Sequence, residues 1–170
     1  LVFYGNITNC IALFNELDNI IEADLSKFDA SSVTNMYRMF CSCHYLTSIN
    51  LSNFNTSKSV NMRSMFSECY SMKSLDLKSF DTSHVTEMSY MFHNTQFTKL
   101  DFYNFNFSSL QNYENIFQYC NELLTYCIDN EKIEAELKES VFSTLSKPSD
   151  CSFTCNVASN TKIITEKNVD

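Results

Sequence analysis

One recurrence limits what this chain can become. The segments Ile7 to Phe14, Val33 to Phe40, Val60 to Phe66, Val85 to Phe92 and Leu110 to Phe117 align at their ends, and their closing Phe residues fall at 14, 40, 66, 92 and 117. Phe28, Phe54, Phe80 and Phe105 keep the same period of about 26 residues. A fixed period of this length marks a chain built from stacked units. The segment opening at Val60 is one residue short, which predicts a local slip of register that leaves the period unchanged.

Within a unit, Val33, Met36, Met39 and Phe40 fall at i, i+3, i+6 and i+7, the spacing of an apolar stripe on a short helix. Leu46-x-x-Ile49-x-Leu51 follows, matched by Met72, Leu75 and Leu77, by Phe97, Leu100 and Phe102, and by Leu123, Tyr126 and Ile128. Its closing alternation predicts a short strand. About six buried side chains at roughly 2 kcal/mol each do not offset the ordering of a whole unit at about 1 kcal/mol per residue, so no unit folds alone. The expected fold class is an α/β repeat: a leucine-rich-repeat-like solenoid with a parallel β-sheet on one face, short helices on the other and a helical C-terminal cap. Residues 1–128 are assigned to about five units, and residues 129–170 to the cap and a disulfide-linked tail. The cap helix is expected from about Glu131 to Leu145, stopped by Lys147-Pro148.

The run Asp76-Leu-Lys-Ser-Phe-Asp-Thr-Ser-His-Val-Thr-Glu-Met-Ser-Tyr-Met-Phe92, with Ile49-Asn-Leu-Ser-Asn-Phe-Asn-Thr-Ser57, resembles the BspA-like leucine-rich repeats of bacterial and protist surface proteins. The resemblance covers residues 7 to 128; the first and last units depart from its Met pattern at Cys10, Leu13, Tyr113 and Ile116. It implies a cell-surface location and roles in adhesion or recognition, and it implies no catalytic residues.

Charge narrows the partners. A net charge of -8 and a pI near 4.8, with no Lys/Arg cluster, argue against nucleic acid and against an anionic membrane surface. No apolar run approaches the roughly 20 residues of a transmembrane span. The chain opens on Leu1 rather than Met, which predicts a leader or other segment upstream. With one Gly and one Pro in 170 residues, Asn, Asp, Ser and Thr must form the turns through side-chain-to-backbone hydrogen bonds. Sequons at Asn6, Asn50, Asn55 and Asn106 and eight Cys fit a secreted, glycosylated protein.

Cys43, Cys69 and Cys120 each stand three residues after a closing Phe and are expected to fill one core column, while Cys10 takes the place of Met36, Met62 and Met88. Cys41-Ser-Cys43-His44 has no second half-site, so no metal is expected. Cys127, Cys151 and Cys155 lie at or beyond the last unit and are the disulfide candidates, Cys127 pairing with Cys151 or Cys155. His44, His84 and His93 occupy positions that other units fill with Tyr, Asn or Ser, and no catalytic motif occurs. Neither an enzyme nor a cofactor is expected. The strand's outward positions form a column, Asp24, Asn50, Asp76 and Asp101, flanked by Glu22, Ser48, Ser74 and Lys99 and by Ser26, Ser52, Lys78 and Tyr103. Calcium binding there is disfavoured because Asn50 interrupts the carboxylates and lysines offset them. Ser48, Asn50, Asp76, Lys78, Lys99, Asp101 and Tyr103 are the candidate partner-binding residues. The expected function is protein or glycan binding, or adhesion, at the cell surface; the alternative is a structural subunit whose partner is a further copy of itself.

Overall fold

Eight residues are too few to repay helix nucleation in water, and each stretch ending in Phe is instead a string of tight turns. In the third unit the amides of Met65, Ser67 and Cys69 bond back to the carbonyls of Met62, Ser64 and Phe66. Intervening amides turn outward to the next unit: Met62 to Glu87, Ser64 to Ser89, Phe66 to Met91 and Glu68 to His93, at 2.9 to 3.0 Å. The same four bonds recur at every junction, from Cys10 with Asn35 to Asn94 with Gln118. Single-residue parallel bridges run through all five units, Asn9 to Asn35, Asn61, Glu87 and Asn112. The computed structural model describes residues 6–123, 125–128 and 141.

These turns require left-handed residues. Ala12, Arg38, Ser64, Tyr90 and Asn115 in one register, and Glu16, Ser42, Glu68, Asn94 and Tyr119 four positions on, have φ between 51° and 63°. Ser64 and Glu68 are the third residues of their turns, where a type II turn needs positive φ. Each costs about 1 kcal/mol without glycine, a cost that the stacked neighbours must offset.

The expected α/β solenoid is therefore overturned. Among the described residues only Val141 is helical, and the strands are short: β1 (Glu22–Asp24), β2 (Ser48–Asn50), β3 (Lys99–Phe102) and β4 (Thr125–Ile128). They form two separate parallel pairs, β1 with β2 and β3 with β4, not one continuous sheet. The third unit joins through a single bridge from Ser74 to Lys99. The expected cap over 129–170 lies outside the described residues except for Val141, which is buried against the core; one residue shows no cap.

Two columns of Phe rings fill the interior. Phe14, Phe40, Phe66, Phe92 and Phe117 stack at 5.3 to 6.0 Å with planes within 7° of parallel. Phe28, Phe54, Phe80 and Phe105 stack at 5.7 to 6.3 Å. Met36, Met39, Met62, Met65, Met88 and Met91 are buried in the same core. The expected slip at Val60 does not occur. Ser59 keeps the period, buried beneath Val33 with its hydroxyl donating to the Val33 carbonyl at 3.0 Å, and Val60 faces solvent.

Candidate functional site

Register places the outward column as the period requires: Glu22 beside Ser48, Asp24 beside Asn50, and Asp101 beside Cys127. Glu22, Asp24, Ser48 and Asn50 rim an open depression of about 510 Å³ floored by Ala23 and Ile49. Ser48, Asn50, Asp76, Lys78, Lys99 and Tyr103 are exposed and Asp101 half-buried.

The column nevertheless has work inside the fold. Oδ1 of Asp24, Asn50, Asp76 and Asp101 accepts the amide two residues on, from Ser26, Ser52, Lys78 and Tyr103, at 2.9 to 3.1 Å. Each closes the turn that ends its strand. The same bond pulls the Asp24 carboxyl below its usual range, the Ser26 amide being the largest cause. A second column does the same: Asp29, Asn55, Asp81 and Asn106 accept from Ser31, Ser57, Ser83 and Ser108. The side chains that close these turns are therefore Asn50, Asp76 and Asp101, not the flanks Lys78, Lys99 and Tyr103. The Asx-x-Ser spacing carried this signal in the sequence except at Asp76 and Asp101, where Lys78 and Tyr103 stand in place of Ser. It also accounts for the sequons at Asn50, Asn55 and Asn106, which are the Asn forms of turns made elsewhere by Asp24, Asp29 and Asp81. Asn6 and Asn55 are exposed and Asn106 half-buried.

Cys10, Cys41, Cys43, Cys69 and Cys120 are buried free thiols. Those of Cys43, Cys69 and Cys120 donate to the carbonyls of Phe14, Phe40 and Phe92 at 3.0, 3.2 and 2.8 Å, one unit back. Burial pushes Cys10 up to about 11 and raises Cys43, Cys69 and Cys120. Of the disulfide candidates, Cys127 lies on β4, whereas Cys151 and Cys155 lie outside the described residues.

His44 bridges units, with Nδ1 2.8 Å from Asp18, Nε2 3.9 Å from Glu68 and its ring stacked on Tyr70 at 5.0 Å. His93 meets the Ser67 hydroxyl at 3.4 Å and lies edge-on to Tyr90 and Tyr119. His84 is exposed beside Ser83. Among the described residues, no group of three or more His, Cys, Asp or Glu could hold a metal ion, and no helix is long and apolar enough to cross a membrane.

No curated protein and no solved structure matches the chain significantly. Residues 8–130 match the family described as Mycoplasma protein of unknown function, DUF285, and the chain belongs to that family.

Proposed function

We propose that this chain is a cell-surface binding or adhesion module of the BspA-like kind, taking a protein or glycan on the exposed strand face. The observation that carries the reading is the division of labour on that face. One outward column is held to Asp or Asn because its carboxylate or amide closes a turn. The flanking positions differ from unit to unit, Glu22, Ser48, Ser74 and Lys99 on one side and Ser26, Ser52, Lys78 and Tyr103 on the other. Tyr103 offers a large ring with a hydroxyl, the side-chain type that often anchors interfaces.

The test uses the labelled chain on intact cells of its source and of any host. Saturable binding that is lost in the Lys78→Ala, Lys99→Ala, Tyr103→Ala triple variant supports the reading, provided circular dichroism shows the variant folded. Undiminished binding by the variant sinks it. The alternative of a structural subunit predicts self-association in sedimentation of the purified chain at micromolar concentration.

A further inference from the structure

Taking the strand face as the binding surface proposed above, we infer that its partner is an extended segment of another protein carrying both signs of charge, with a Lys or Arg over the first two units and an Asp or Glu over the third and fourth. The flanks of the outward column change sign along the stack. They begin with Glu22 in the first unit, pass through Ser48, Ser52 and Ser74, and reach Lys78 in the third unit and Lys99 in the fourth, all of them exposed. Glu22 and Asp24 place two carboxylates at one end, and with Ser48 and Asn50 they rim the depression of about 510 Å³. The Ser26 amide, and to a lesser degree Lys27, hold the Asp24 carboxyl below its usual range. At the other end Asp76 and Asp101 each turn a carboxylate oxygen back onto an amide of the chain. The Lys78 ammonium stands on a longer, flexible stem and offers the cation at this end. Among the described residues no ion pair engages Glu22 or Lys78.

Separation lets the two ends act independently. Units step by 5.3 to 6.0 Å in the Phe column from Phe14 to Phe92. Glu22 and Lys99, three units apart on one flank, therefore lie roughly 15 Å apart, beyond the Debye length of about 10 Å at 0.1 M salt. An extended chain covers that span in about five residues. The two signs also decide what kind of molecule fits. An acidic glycan answers the lysines but meets Glu22 and Asp24 with like charge, and a neutral glycan answers neither end. A polypeptide carries both signs, and such complementarity fixes the direction in which it lies across the units.

The test repeats the cell-binding measurement with two exposed charge reversals, Glu22→Lys and Lys78→Glu, and with the two combined, each variant checked for folding by circular dichroism. Each single reversal is expected to weaken saturable binding roughly threefold or more at low salt, and the parent's binding should fall as salt rises. The combined variant keeps the parent's net charge yet reverses the face, so it should bind more weakly than either single variant. Trypsin treatment of the cells should remove the binding, and periodate oxidation of their glycans should spare it. Normal binding by Glu22→Lys, or recovery in the combined variant, overturns the inference, as does binding that periodate removes and trypsin spares. So does a dimer in sedimentation that Glu22→Lys dissolves, since a second copy would then be the occupant. A parent that does not bind saturably sinks the strand-face reading itself, whereas loss in the Lys78→Ala, Lys99→Ala, Tyr103→Ala variant without loss in Glu22→Lys sinks the charge pairing alone.

Discussion

A left-handed residue that is not glycine is a local cost accepted for a distant return. Ser64, at φ 53°, opens one turn, is the third residue of another, and donates its amide to Ser89. Glycine adopts this conformation without a Cβ clash. Ser64→Gly should therefore stabilise the protein by roughly 0.5–1 kcal/mol in urea unfolding; a loss of stability would show that the turn is not under strain. Thr82 is the opposite case. It is buried, with its hydroxyl donating to the Asn106 carbonyl and accepting the Asn106 amide, both at 2.8 Å. Thr82→Val strands both groups and should cost about 1–3 kcal/mol. The thiols give a pH signature. Cys10 stands at about 11 against an ordinary 9.0, because burial penalises the thiolate. The neutral form is the one the fold favours, so its contribution is complete below pH 9 and falls as pH rises towards 11. Urea midpoints should drop across that window, less so in Cys10→Ala; a flat profile in the parent contradicts the assignment. At this scale the sequence was informative. Scarcity of Gly and Pro pointed to Asx turns, and they are present, although their claim on Asn50, Asp76 and Asp101 was hidden because an outward side chain looks idle until its amide partner is seen.

The turn string is where sequence reasoning and structure part. Val33, Met36, Met39 and Phe40 do all face inward, as a helical stripe would require. Period 3.6 is one way to bring such residues to one side; consecutive turns with a left-handed residue between them are another, and side-chain spacing does not separate the two. What separates them is the destination of the amides. A helix satisfies its own four residues back, whereas here alternate amides need a neighbouring unit, information held 25 residues away. Two local signs did favour turns: the stretches span only about two helical turns, and Asn9, Asn35 and Asn61 each accept the amide two residues on. The Phe column, by contrast, was legible from period alone. Phe66 lies between Phe40 and Phe92 at 5.4 and 6.0 Å and is fully buried. Phe66→Ala should cost roughly 3–5 kcal/mol in chemical denaturation, and a loss below about 1 kcal/mol would mean that the column does not carry the stack.

For the whole molecule, a stack of units bonded only to neighbours has stability that varies along its length. The amides of Met62, Ser64 and Phe66 lie in a unit covered on both sides, by Arg38 and Phe40 on one and by Tyr90 and Phe92 on the other. The amides of Cys10, Ala12 and Phe14 make the same bonds, yet among the described residues their unit has a neighbour on one side only, and Ile11 and Leu13 are exposed. Local opening at that edge exposes fewer apolar contacts than opening in the middle, so it requires less free energy. Native-state hydrogen exchange should therefore show the amides of Cys10, Ala12 and Phe14 exchanging well before those of Met62, Ser64 and Phe66, although all six are hydrogen-bonded. Slow exchange shared equally by the two sets would mean that the stack opens as one unit, and the edge would then be no more open than the interior.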